Sequence, residues 1–77
     1  MVKVKIFGIL RAYCGTASCN LKNGISVGEI KSRLFGNQLD YSYIKVLLNG
    51  EHADDKTVLA DTSVSLFYIG GGGFPGG

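Results

Sequence analysis

The chain contains one proline, one histidine, two cysteines and no tryptophan, and each scarcity removes a class of function. Cys14 and Cys19 are too few for a disulfide scaffold or a self-contained zinc site. His52 cannot complete such a site with them in any standard spacing, and an iron–sulfur cluster normally needs four thiolates. No metal is therefore expected. The two cysteines read as reduced thiols in or near the core, as free Cys usually is, with a local Cys14–Cys19 disulfide as the alternative. Charge of one sign is also missing: eight basic residues against six acidic give a net charge of +2 with no run of like charges. A phosphate footprint needs a clustered basic face, so no nucleic acid is expected as a partner. Tyr41, Tyr43 and Tyr68 could offer stacking platforms, but the sequence shows no basic groove beside them. No apolar run approaches the roughly 18–20 residues of a membrane span. The opening Met-Val-Lys-Val-Lys alternates too early for the apolar region of a signal peptide, so the expectation is a cytoplasmic protein with no membrane partner. At 77 residues there is room for one domain with a thin core and none for a deep cleft. Any chemistry belongs on the surface or at the ends.

What is present is ordinary globular material, 45% hydrophobic and 18% charged, organised by clear local signals. Val2, Val4 and Ile6 alternate with Lys3 and Lys5, the period-2 pattern of a half-buried strand. Ile9 to Cys14 reads as a short helix stopped by Gly15. Thr16 to Leu21 reads as a second strand, closed by the Asn23-Gly24 turn. Ser26-Val27-Gly28-Glu29 has the spacing of a capping box. Val27, Ile30 and Leu34 then mark one face of the main helix, with Lys31 and Arg33 placed where the dipole favours cations and Gly36 as the stop. Tyr43 to Asn49 is a third strand, and Asn49-Gly50 is the strongest hairpin signal in the chain. Glu51 to Ala53 returns as a short strand, Val58-Leu59 plugs one end of the core, and Ser63 to Ile69 is the last strand.

The phase of that last strand matters. With Val64, Leu66 and Tyr68 facing the core, Phe67 and Ile69 face outward and mark a partner surface. A strand buried on both sides, or a shifted register with Phe67 in the core, is the other placement the pattern permits. From residue 70 the composition changes: Gly70-Gly71-Gly72-Gly73-Phe74-Pro75-Gly76-Gly77 holds six glycines in eight residues. A phosphate-cradling glycine loop leads into a helix N-terminus, and none follows here. The chain divides into a domain over 1–69 and a flexible Gly-rich tail over 70–77, for which composition alone leaves a functionless terminus as one of the readings.

The order of elements lays one main helix across a mixed four- to five-stranded sheet, an α+β two-layer domain. Together with Gly76-Gly77 it resembles the ubiquitin-like β-grasp family, and within it the prokaryotic sulfur carriers. Residues 2–15 resemble the opening of the molybdopterin synthase small subunit, where a short helix follows the first strand. Val46-Leu47-Leu48-Asn49-Gly50-Glu51, Leu59-Ala60-Asp61 and Val64-Ser65-Leu66-Phe67 are similar both to that subunit and to the thiazole-synthesis sulfur carrier, the former being the nearer overall.

The resemblance implies a protein that is no enzyme but a co-substrate. An E1-like adenylyltransferase would use ATP to convert the Gly77 carboxylate into a mixed anhydride with AMP. A sulfur donor of cysteine desulfurase or rhodanese type would then leave a thiocarboxylate there. That group would deliver sulfur to a cofactor precursor, of molybdopterin or tungstopterin type first and thiazole next, on the large subunit of a synthase. No cofactor is bound by the carrier itself. Gly76, lacking a Cβ, would give the backbone passage through a narrow tunnel. Phe7, His52 and Phe67 fall at the family's partner-binding positions, with Ile69 and Phe74 as further contacts; His52 stands where an apolar residue is more usual. Two other readings share the same residues: a ubiquitin-like modifier joined to lysines through Gly77, and a binding module with a disordered tail.

Overall fold

The computed structural model describes residues 1–69. Strand β1 (Val2–Ile6) alternates buried and exposed side chains along its whole length, because a strand with one face on a core can bury only every second residue. It is followed by α1 (Leu10–Cys14), β2 (Ser18–Leu21), β3 (Ile25–Ser26), α2 (Val27–Phe35), a 3-10 turn over Tyr41–Tyr43, β4 (Ile44–Leu48), β5 (Glu51–His52), β6 (Val58–Leu59) and β7 (Ser63–Tyr68). The main sheet has five strands in the order β2-β1-β7-β4-β5. Its central pair, β1 and β7, is parallel, and the other pairings are antiparallel. The α+β architecture expected from the sequence is the one observed, at five strands.

One face of this sheet carries Val2, Val4, Ile6, Ile44, Val46, Val64 and Leu66 against Val27, Ile30 and Phe35 of α2, with Leu10 and Leu59 closing the ends. Helix α2 starts where the capping box places it: the Glu29 N–H donates to Ser26 Oγ at 3.2 Å, and the Ser26 N–H donates to the Glu29 carboxylate at 2.9 Å. Such a cap contributes about 1 kcal/mol. The Asn49-Gly50 hairpin also forms, with φ of 54° and 82° at its two turn residues, the left-handed pair that a two-residue turn between twisted strands demands.

Three features depart from the sequence reading. Lys31 is not a solvated cation near the helix end. It is 6% exposed, and its Nζ lies 2.7 Å from Asp55 Oδ1. Gly28 permits this approach of helix and loop. Its N–H donates to the Asp55 carbonyl at 3.0 Å, and a Cβ at Gly28 would stand 3.3 Å from that oxygen. Phe35, absent from the expected apolar face, is fully buried because helix position 35 follows 27 and 31 around the same side. Finally, β3 and β6 pair as a separate two-stranded sheet; two-residue strands carry no period by which a sequence reveals them.

Candidate functional site

Among the described residues, no helix packs on the face of the sheet opposite α2. Register assigns its side chains in rows across the strands. One row joins Ser18, Lys5, Ser65, Leu47 and His52, paired neighbour to neighbour. A parallel row joins Asn20, Lys3 and Ser63. The third, toward the end of β7, sets Lys45 opposite Phe67 and Phe7 beside it.

Phe7 and Phe67 form the centre of that third row. Their rings stack with centroids 4.8 Å apart and planes 7° from parallel, and both are half-buried. The pairing follows from the backbone: Ile6 lies opposite Leu66, both inward, so the next residue on each strand turns outward on the same side. The Phe7 N–H donates to the Leu66 carbonyl at 3.1 Å, which holds the strands together at this level. Arg11, on the following helix, donates from Nε to the Ile6 carbonyl at 2.9 Å. This anchors its guanidinium carbon 5.9 Å from the Phe7 ring centroid, a cation–π distance. Phe67 thus takes the outward placement, and its apolar surface is part covered by its neighbour.

The other sequence-proposed contacts are spread out. Ile69 is 62% exposed, and its N–H donates to the Tyr43 carbonyl at 2.8 Å, which ties down the chain just before residue 70. His52 is exposed on β5 at the edge of the same face, with β4 between it and β7. Phe74, Gly76 and Gly77 lie outside the described residues, as does the whole proposed tail.

Arg11, Lys45 and Leu47 were not singled out in the sequence, yet they flank the stack. The alternation Ile44, Lys45, Val46, Leu47 carries the signal for the last two; what it lacks is the register that sets Lys45 opposite Phe67. The same register corrects a charge reading. No basic cluster was visible along the chain, but folding gathers Lys3, Lys5, Lys45 and Arg11 on or beside one face.

Two other features are not part of this face. Cys14 and Cys19 are free and half-buried, as reduced thiols near the core were expected to be. Burial pushes the Cys19 thiol up, with Cys14 adding to the effect, which disfavours the nucleophilic thiolate at Cys19. Beside β5 a groove of about 600 Å³ is lined by Lys31, Tyr41, Ile44, His52, Asp54 and Lys56 among others; its one buried cation, Lys31, already has Asp55. Among the described residues no helix is long and apolar enough to cross a membrane.

No protein-family model matches the chain, and no curated protein matches it. Solved structures do, two of which follow. SAMP1 from Haloferax volcanii superposes with a TM-score of 0.63 at 26% identity, covering 94% of this chain and 98% of that one. A structure of H. volcanii small archaeal modifier protein 1 gives a TM-score of 0.60 at 26% identity, covering 87% of this chain and 94% of the other. The likeness spans nearly the whole of both molecules. The fold is the ubiquitin-like β-grasp, and the chain is similar at that level to a small archaeal modifier protein; molybdopterin and thiazole types are not separated by the likeness.

Proposed function

We propose that this protein is a ubiquitin-like sulfur carrier, activated at the Gly77 carboxylate by an E1-like adenylyltransferase and presented to its partners by the Phe7–Phe67 face. The single observation that carries the reading is the coincidence of three things at one end of the sheet: the stacked aromatic pair, the tied-down exit of β7 at Ile69, and eight further residues ending in Gly-Gly. Eight residues span at most about 28 Å, enough for a docked domain to place its terminal carboxylate in a partner's active site. The chemistry suits that division of labour. A carboxylate is a poor electrophile at neutral pH, whereas its mixed anhydride with AMP reacts readily. The domain supplies recognition, and the partner supplies ATP binding and catalysis. A persulfide on a donor of cysteine desulfurase or rhodanese type attacks the mixed anhydride and expels AMP, leaving an acyl disulfide. A second thiol then reduces that disulfide, forming a disulfide with the donor sulfur and freeing the thiocarboxylate, which acts on the large subunit of a synthase of molybdopterin type, in the cytoplasm.

A second reading, the protein modifier, is favoured by one observation: both similar structures are of a protein named as a small archaeal modifier. Activation is common to both readings, and only the nucleophile differs, sulfur in one and a lysine amine in the other. Intact-mass analysis after incubation with a candidate E1-like enzyme, ATP and a sulfur source tests them together. The carrier gains the mass of one oxygen-to-sulfur exchange on its C-terminal peptide, lost when Gly76-Gly77 is deleted. Sulfur on Cys14 or Cys19 instead would overturn the proposal. Lysine-linked adducts without sulfur gain would establish the modifier.

A further inference from the structure

The charge on the docking face is segregated, and that segregation specifies what docks. The outward positions of the sheet carry Lys3, Lys5 and Lys45, and Arg11 stands over Phe7 at the end of the same face. None of the six acidic residues of the chain joins them. Glu29 caps α2, Asp40 caps the 3-10 turn, and Asp54 and Asp55 lie in the loop that meets α2. Asp61 holds the N-terminal amine at 2.9 Å. Glu51 pairs with Leu48, in the opposite phase to His52. Half of the eight basic residues therefore surround an apolar centre of Phe7, Phe67 and Leu47, with no Asp or Glu side chain of the described residues among them.

From this we infer that the surface which binds this protein is a protein surface with an apolar centre rimmed by Asp and Glu carboxylates. The inference rests on the carrier reading for the identity of the activating partner and adds the chemistry of its docking site. Three physical arguments support it. Lys3 and Lys5 stand about 7 Å apart along one strand, within a Debye length at physiological salt, so their fields add and steer an acidic partner to the face. The two Phe rings already use a face of each other, and Arg11 stands over Phe7; the aromatic centre therefore offers mainly ring edges, with fewer faces on which nucleic acid bases could stack. Ring edges are the electropositive part of the ring, which again favours oxygen-rich acidic groups. A second copy of this chain is a poor occupant because it would set lysine against lysine around the same centre.

The test uses the full chain, isotope-labelled, with acetylated and amidated hexapeptide probes: Glu-Glu-Leu-Phe-Glu-Glu, its Gln-for-Glu counterpart and its Lys-for-Glu counterpart. An oligouridylate is the nucleic acid probe. The acidic peptide should shift the amides of Phe7, Lys45, Leu47 and Phe67, and bind about tenfold more tightly than the Gln peptide at low salt, the advantage shrinking as ionic strength rises. In the double variant Lys5→Glu/Lys45→Glu the preference should invert toward the Lys peptide. The neutral pair Lys5→Gln/Lys45→Gln, which retains both side-chain stems, should abolish it in either direction. Equal binding of the acidic and Gln peptides would overturn the inference. So would tighter binding of the oligouridylate at the same amides, or concentration-dependent shifts there without any probe, the mark of self-association. The titration contains neither ATP nor enzyme. Failure here with the Gly77 mass gain intact would sink the acidic-partner inference alone, and the reverse result would sink the carrier reading alone.

Discussion

Truncating the stacked aromatic pair separates an exposed anchor from a core residue, because the structure places Phe67 between those extremes. Phe67 is half-buried and stacked on Phe7 at 4.8 Å. Full burial of a Phe contributes about 1.5–3 kcal/mol; taking roughly half of that, and adding about 0.5–1.5 kcal/mol for the aromatic pair, gives a cost for Phe67→Ala of about 2 kcal/mol. A fully buried ring such as Phe35 should cost about 3–5 kcal/mol when cut to Ala. In a domain of this size about 2 kcal/mol lowers the melting temperature by about 8–16 °C. With no tryptophan in the chain, far-ultraviolet circular dichroism in urea is the suitable probe. Phe7→Ala and the double variant complete a cycle whose coupling should be about 1 kcal/mol, since the two rings share one contact. On the functional side, Phe67→Ala should weaken docking to the activating enzyme by about thirtyfold, the value for loss of a 2 kcal/mol interface anchor. A coupling energy near zero would show that the stack does not contribute to stability. A loss equal to that of Phe35→Ala would put Phe67 in the core and remove it from the docking face.

Three further outcomes follow from the geometry. Asp55→Ala leaves the Lys31 ammonium buried without its partner and should cost about 1–2 kcal/mol in a urea melt, below the 3–5 kcal/mol of a fully enclosed pair because the Asp55 side chain is 61% exposed; Lys31→Met should cost less than Asp55→Ala, since it removes the charge along with its need. Ser26→Ala should destabilise by about 1 kcal/mol at neutral pH. The backbone N–H of Ser26 first, and its side chain second, hold the Glu29 carboxyl below its ordinary value, so their contribution is present above the unfolded carboxyl range and fades as pH falls through the lower folded one. Ser26→Ala keeps the backbone donor and loses only the side-chain part, so its acid limb in stability against pH should be only slightly flatter. Gly50→Ala meets no neighbouring atom but must hold φ at +82°, so it should cost about 1 kcal/mol, measurable as a lower urea midpoint with unchanged slope.

Much of the architecture was legible along the chain because its causes are local. The alternation of Val2, Val4 and Ile6, the Ser26–Glu29 box and the Asn49-Gly50 turn each satisfy their backbone or burial requirements within a few residues, so spacing alone exposes them. The outward phase of Phe67 was one of two placements the pattern allowed, and the inward burial of Val64 and Leu66 selected it. Lys31 was misread because its burial depends on Asp55, 24 residues away, brought close by a loop that packs tightly on Gly28, where a Cβ would stand 3.3 Å from the Asp55 carbonyl oxygen. The short β3–β6 pair was invisible for a related reason: neither strand has a period, and each exists only because the other supplies its hydrogen bonds.

The docking face divides the same way. Residue types and alternation determined that Lys3, Lys5 and Phe67 could point outward from their strands. That Phe7 stacks on Phe67, that Lys45 lies opposite it, and that four cations share a face free of Asp and Glu side chains among the described residues were decided by strand order and register. β1 and β7 are distant in the chain yet parallel neighbours at the centre of the sheet. A charge pattern that is mixed in sequence becomes one-sided in space because pairing sorts residues by phase, and phase between distant strands is set by how their buried faces pack.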